Sequence, residues 1–167
     1  MKHLLIILSA ILLIPAAATA QYAGEGSLDI NAGIGLASNL TGSGMPFGLS
    51  VDYGINENVT IGGYGGYAST SENFGVGEWE YTHLIIGGRG TYHKEMVENI
   101  DTYGGLLLGY NVASAEWKGT GTANASVGGF TYSFFAGGRY HFTEKIGAYL
   151  ELGYGISVIQ TGLTVRL

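Results

Sequence analysis

The sequence predicts an all-β protein: an eight-stranded antiparallel up-and-down barrel that spans a membrane. Eight segments alternate between apolar and polar residues, and no Lys, Arg, Asp or Glu falls on the apolar side of any of them. Beyond an N-terminal export signal, no apolar run reaches the roughly 18 residues that a membrane-crossing helix needs. Side chains alternate across a strand, so each segment is two-faced, and about ten tilted residues suffice to cross a bilayer. A polar, Gly-rich face backing an apolar, aromatic one is the pattern of an outer-membrane barrel.

The export signal occupies residues 1–20. Lys2 supplies the charge, Leu4 to Ile14 the apolar run, and Ala18-Thr19-Ala20 the small-residue cleavage site before Gln21. The run is too short to span a membrane, so cleavage is expected. Residues 21–167 then form one barrel domain. The chain has no Cys, which excludes a lipid-attachment cysteine, a disulfide and a thiolate metal site.

The strands follow in order. Ser27 to Ala37 sets Leu28, Ile30, Ala32, Ile34 and Leu36 against Asp29, Asn31, Gly33 and Gly35. Phe47, Leu49, Val51 and Tyr53 oppose Gly48, Ser50, Asp52 and Gly54. The third segment, Val59 to about Ser69, carries Gly63 and Gly65 on its apolar side. The fourth, about Tyr81 to His93, sets Leu84, Ile86 and Tyr92 against His83, Gly87, Arg89 and Thr91. The fifth, about Thr102 to Ala113, sets Leu106, Leu108, Tyr110 and Val112 against Gly105, Leu107, Gly109 and Asn111. Phe130 to Phe142, Ile146 to Ser157 and Ile159 to Leu167 complete the set, with Ile156 on the outward parity.

Connections alternate in length, as barrel topology predicts. Asn56 to Asn58, Lys94 to Ile100 and Thr143 to Lys145 read as periplasmic turns. Ser38 to Met45, Thr70 to Glu80 and Ser114 to Gly128 read as outer loops, with a very short fourth connection near Ser157-Val158. Both termini are then periplasmic.

Six charges fall on the inward parity: Asp29, Asp52 and Glu151 against Arg89, Arg139 and Arg166. A charge facing lipid at the midplane costs about 2–4 kcal/mol for Arg or Lys, which accounts for the empty outer parity. Equal numbers inside allow pairing in a narrow lumen, where an unpaired charge is costly. Arg89, Arg139 and Glu151 are expected to form the core of a network with Asp52, Glu151 reaching Arg139 diagonally from the neighbouring strand. The outward rings segregate as well. Tyr53, Tyr92, Tyr140 and Phe142 cluster at one set of strand ends, and Tyr67, Tyr110, Tyr132 and Tyr154 at the other, as an aromatic girdle. A soluble barrel would turn the apolar parity inward and leave almost no charge outside to keep it in solution.

The chain resembles the small eight-stranded outer-membrane barrel family (OmpX/OmpA-like) over about Gly26 to Leu167. The resemblance rests on the repeated strand pattern, on Gly-Gly-Arg-Gly-Thr-Tyr-His at 87–93, Gly-Gly-Arg-Tyr-His-Phe at 137–142 and Glu-Leu-Gly-Tyr-Gly at 151–155, and on the C-terminal strand. It implies insertion among outer-membrane lipids by the barrel-assembly machinery. Gln160, Gly162, Val165 and Leu167 would form the assembly signal, with Leu167 where such proteins usually end in Phe. Relatives with similar lumen clusters also suggest a narrow water path gated by these ions.

Removing the signal leaves six bases against thirteen acids, which excludes a nucleic-acid partner. No cofactor or metal site is expected, because Glu72, Glu78 and Glu80 lack the dense ligand spacing of a calcium loop. A lipid-modifying enzyme would centre on inward His83, with Glu80, Ser133 or Ser157 as partners, but nothing in the spacing joins them into nucleophile, base and carboxylate. The expectation is a non-enzymatic outer-membrane protein with a filled polar lumen, serving envelope integrity or surface contact. An adhesin-like module using Phe74, Trp79, Trp117 and Lys118 is the alternative, its ligand unknown.

Overall fold

A computed structural model of the chain describes residues 24–39, 44–73, 75, 77–97, 100–121 and 123–167. The export signal and Phe74 lie outside the described residues. Eight strands run in chain order: β1 (Leu28–Ala37), β2 (Phe47–Gly54), β3 (Val59–Asn73), β4 (Gly77–Val97), β5 (Ile100–Gly119), β6 (Asn124–His141), β7 (Ile146–Tyr154) and β8 (Ile159–Arg166). Each pairs antiparallel with the next, and β8 pairs back onto β1 to close the barrel. The fold class is the one the alternating segments predict.

Short turns at the terminus-bearing end are held by their own side chains. Asn56 Oδ1 accepts hydrogen bonds from the backbone N–H groups of Asn58 and Val59, at 2.8 and 2.9 Å. Thr143 Oγ1 accepts from Lys145 and Ile146 between β6 and β7. A short polar side chain bonding its own backbone two or three residues on is what makes these residues turn formers.

Burial follows parity in the reverse of a soluble protein. Outward Ile86, Leu84 and Leu152 are more than half exposed, while inward Asp29, Asp101, Arg139 and Thr164 are at most 1% exposed. Such a surface calls for an apolar solvent, and closure leaves no row of unpaired backbone groups around the wall it covers.

Inward glycines supply volume. A Cβ on Gly33 would lie 2.3 Å from the Tyr149 hydroxyl, and one on Gly48 would lie 2.7 Å from that of Tyr64. The two rings therefore lie across strands that carry no side chain there. Outward Gly63 and Gly65 face open space, so their bareness has no counterpart inside.

Four expected boundaries are corrected. The stretches read as outer loops, Thr70 to Glu80 and Ser114 to Gly128, are mostly strand, because β3 to β6 run on past the strands that flank them. β2 pairing stops at Tyr67 and β7 pairing at Phe134, so the upper parts of β3 to β6 form a four-stranded sheet standing above the rim. These parts read as loops because Ser, Thr, Glu and Gly dominate them and their apolar residues have changed parity. The turn read from Lys94 to Ile100 is also mostly strand, β4 continuing to Val97 and β5 starting at Ile100. Finally, β7 ends at Tyr154 and Ile156 turns into the lumen, 3% exposed, instead of facing outward. Gly155 makes that turn: its φ is +116°, and a Cβ there would strike the Tyr132 carbonyl at 2.4 Å.

Gly62 and Gly63, adjacent on β3, give a direct test of inward volume. A Cβ on Gly62 would lie 2.4 Å from Asp52 Oδ1, whereas none meets an atom within 4 Å at Gly63. Gly62→Val should cost about 3–5 kcal/mol in urea unfolding from detergent micelles, by disrupting a buried ion pair. Gly63→Val should stay within about 0.5 kcal/mol of the parent.

Candidate functional site

The lumen charges sort into two groups. In the middle of the barrel, Arg89 on β4 reaches Asp52 on β2 across the bare backbone of Gly62, with Nε 3.2 Å from Oδ1. Its Nη2 donates to Glu151 on β7 at 2.9 Å, and the guanidinium lies 4.5 Å from the centre of the Phe135 ring. The Tyr103 hydroxyl donates to the same Glu151 oxygen at 2.9 Å, crossing Gly137 on the intervening strand. Asn31 Nδ2 supports Asp52 from β1 at 2.8 Å. One cation thus lies between two carboxylates, each with a further neutral donor.

Nearer the terminus-bearing end, one carboxylate lies between two cations. Asp29 stands opposite Arg166 in the β1–β8 ladder, and Arg166 grips it with two parallel hydrogen bonds, Nε at 2.7 Å and Nη2 at 2.8 Å. Arg139 Nη1 donates to Asp29 Oδ2 at 2.5 Å and lies 3.9 Å from Asp101. His93 Nδ1 donates to Asp101 Oδ1 at 2.8 Å, since a carboxylate only accepts, and His93 Nε2 meets Thr91 Oγ1 at 2.7 Å. Thr60 adds a short contact to Thr91.

Arg139 therefore does not join Glu151, as the sequence suggested. Arg89 takes that carboxylate, and Arg139 turns to Asp29 and to Asp101, its direct partner across β5 and β6. Asp101 escapes the sequence reading because it falls between the turn read as far as Ile100 and the strand read from about Thr102. The signal that could have found it is parity: Asp101 stands two residues before inward Tyr103 and shares its face.

Thr91, His93 and Asp101 have the connectivity of nucleophile, base and orienting carboxylate. All three are at most 4% exposed, so the hydroxyl meets no substrate in this arrangement. His83 is separate from them, with the Asn111 amide 3.2 Å from Nδ1. Its imagined partners are engaged elsewhere. Glu80 stands on the opposite parity with Lys118, the Ser133 hydroxyl donates to the Tyr154 carbonyl, and that of Ser157 donates to the Ile159 carbonyl.

Above the charges, toward the loop end, Tyr64, Ile85, Leu107 and Ile156 pack with Phe135 as an apolar plug. The cavity between plug and ions, lined by Tyr64, Arg89, Glu151 and Gln160 among others, holds about 20 Å³. That is room for about one water molecule. Among the residues read as an assembly signal, Gln160 donates to the Tyr149 hydroxyl at 3.0 Å, and a Cβ on Gly162 would lie 2.1 Å from the Ala32 carbonyl. Val165 and Leu167 face outward, 38% and 67% exposed.

The standing sheet carries the other candidate surface. Trp79 and Trp117 pair across β4 and β5 with ring centres 5.5 Å apart. On the opposite parity Lys118 Nζ lies 2.8 Å from Glu116 and 3.7 Å from Glu80, two acids directly opposed in the ladder.

The lumen contacts fix which substitutions couple. Arg89→Met and Glu151→Gln should show a coupling of about 0.5–3 kcal/mol in a double-mutant cycle, larger than that of Arg139→Met with Glu151→Gln, which are linked only through Tyr103. Asp29→Asn should be the costliest single change, about 3–5 kcal/mol, because it leaves two guanidinium groups short of a counter-charge. Urea unfolding of each variant measures all of these.

No family model and no curated protein sequence matches the chain. Its fold is similar to that of solved structures. The N-terminal β-barrel domain of Pseudomonas aeruginosa OprF superposes with a TM-score of 0.60 at 15% identity, covering 86% of this chain and 99% of that one. Ail, the attachment invasion locus protein of Yersinia pestis, gives a TM-score of 0.54 at 16% identity, covering 85% of this chain and 95% of that one. A second Ail structure, in complex with the heparin analogue sucrose octasulfate, gives the same TM-score at 15% identity. The closed eight-stranded wall, its apolar exterior and its ion-filled interior give this chain the fold of the small outer-membrane β-barrels.

Proposed function

We propose that this chain is a non-enzymatic integral outer-membrane protein that acts by surface contact through its standing sheet. The carrying observation is the combination of a blocked lumen with a four-stranded extension above the rim. A lumen filled by ion pairs and an apolar plug offers no route for solutes, in keeping with the narrow interior of an eight-stranded barrel. In this reading the export signal at residues 1–20 delivers the chain, and the barrel-assembly machinery inserts it through the last strand. Both termini then lie in the periplasm and the extension stands outside the cell.

The fold shared with Ail, an attachment protein by name, supports contact over a purely mechanical role in the envelope. The ligand class does not carry over. Ail was solved with a sulfated heparin analogue, whereas the extension here holds Glu72, Glu78, Glu80 and Glu116 against Lys118. A polyanion would meet net repulsion at this surface. The partner should therefore be a protein, neutral or basic, engaged near Trp79 and Trp117.

Unboiled protein should migrate faster than boiled protein on a denaturing gel and require detergent for extraction. A heat-independent band in a soluble fraction would overturn the membrane reading. Planar-bilayer recording should show no sustained conductance, and stable open channels would overturn the blocked lumen. Deleting Glu116 to Ser126 should abolish cell-surface adhesion with the barrel still folded, and undiminished adhesion would sink the contact role.

A further inference from the structure

The outer wall of the barrel is not uniformly covered by large apolar side chains. Outward Gly104, Ala136, Gly138 and Ala148 adjoin one another on β5, β6 and β7. Beside them a groove of about 620 Å³ follows β6 from Ala136 to Tyr140, with Ile100 and Thr102 as one wall and Leu150 and Leu152 as the other. A Cβ on Gly138 would already lie 3.2 Å from Ile100 Cγ2, so a larger residue there would fill the floor. The groove is apolar even where threonine lines it. The Thr102 hydroxyl donates to the Lys94 carbonyl and the Thr161 hydroxyl to the Tyr149 carbonyl, so both hydroxyls are satisfied by backbone.

The dimensions select the occupant. The floor is one strand wide, and strands lie about 4.8 Å apart, so β5 and β7 stand roughly 10 Å apart across it. Their side chains narrow that gap to the width of one alkyl chain. A helix with its side chains measures about 10–12 Å across and does not enter. A second barrel, convex like this one, would rest on the two walls and leave the floor empty. At about 3.4 Å per residue, Ala136 to Tyr140 spans roughly 14 Å. That is close to half of the hydrocarbon core of about 30 Å. The groove therefore suits one acyl chain from a single leaflet, the one at the terminus-bearing end.

A cation borders the same groove. β4 runs past the strand read from the sequence, which places Lys94 on the outward side opposite Thr102. Among the described strand residues below the rim it is the one charge on that side, and it is exposed. A lipid-facing Lys is costly at the midplane but not at the interface, where its stem lies along apolar surface and its ammonium reaches the headgroups. Lys94, Thr102 and Gly138 stand in one row across the sheet, so the long Lys94 side chain flanks the floor. Tyr140 closes the lower end with a ring suited to the interface.

We propose that this groove binds one anionic phospholipid of the leaflet at the terminus-bearing end, with an acyl chain along Ala136–Tyr140 and the headgroup phosphate on Lys94. The proposal rests on the membrane reading above and concerns a surface which that reading leaves unassigned. Van der Waals fit supplies retention, because a lipid tail gains no hydrophobic driving force by leaving other tails. Pairing with Lys94 supplies selectivity, since a zwitterionic headgroup carries an ammonium of its own.

Native mass spectrometry of the barrel, released from detergent micelles loaded with dioleoylphosphatidylglycerol or dioleoylphosphatidylcholine, counts the lipids retained. One phosphatidylglycerol should stay bound, at several times the level of phosphatidylcholine. Gly138→Leu should lower its retention at least tenfold with the heat-dependent gel shift unchanged, and Ala136→Leu should do the same by filling the other end of the floor. Lys94→Gln should bring phosphatidylglycerol down to the phosphatidylcholine level. Gly63→Leu, on an outward glycine that faces open space, should change nothing. Equal retention of the two lipids by the parent, or retention undiminished by either leucine, would overturn the proposal. A dimer that Gly138→Leu dissolves would give the groove to a second copy and overturn it as well. A barrel that passes the gel-shift and extraction tests yet retains no lipid sinks this site alone, whereas failure of those tests sinks the membrane reading beneath it.

Discussion

Asp29 ties the first strand of the barrel to the last. It accepts both forks of Arg166, 137 residues away in sequence, and a third bond from Arg139. These groups are out of water, where a charge without a partner is strongly destabilising. Closure, register and charge pairing are therefore a single condition. A slip of one residue would turn every side chain of a strand to the other face, moving an arginine into the apolar surroundings. The like-charged neighbour of Asp29 in the β1–β2 ladder, Asp52, is tolerated because it turns to a different cation, Arg89.

Volume is as constrained as charge. A strand that carries Gly lets its neighbours meet over it: Arg89 and Asp52 over Gly62, Tyr103 and Glu151 over Gly137, the Tyr149 ring over Gly33. Glycine and tyrosine are thus complementary on the inner wall, one giving the space that the other fills. The result is a packed interior with ions in one half and Tyr64, Ile85, Leu107, Phe135 and Ile156 in the other. The cavity between the two halves has room for about one water molecule.

The standing sheet obeys the same physics in another solvent. A strand in the barrel wall faces an apolar exterior and a polar interior. Above the rim, the outward side of the same strand faces water, and the sequence answers with Glu80, Glu116 and Lys118 where it had Leu84, Ile86 and Leu108. The apolar residues move to the side over the mouth, where the tilted rings of Trp79 and Trp117 meet. That exchange leaves the continuation of the wall with its charged side outward and its apolar side over the mouth.

How much of this was legible depends on the length scale of each interaction. Alternation within Phe130–Phe142, Ile146–Tyr154 and Ile159–Leu167 gave the strands, their faces and the closed eight-stranded class, because parity is local and holds along a single segment. It also marked Arg89, Arg139, Glu151, Asp52, Asp29 and Arg166 as inward. Which of them meet was not local. Arg139 joins Asp29 and Asp101, and Arg89 takes Glu151, because a closed wall brings opposite strands together across the lumen at a reach that sequence spacing does not encode. Asp101 and the upper parts of β3 to β6 were hidden by a composition typical of turns, and Ile156 by the positive φ of Gly155 that breaks the parity of β7. The sequence by itself determined which side of each wall strand is polar and turned inward, since that is set residue by residue by solvation. The tertiary structure alone decided which charges pair, where the lumen closes and which strand edge stays open, since those depend on curvature and on where neighbouring strands end.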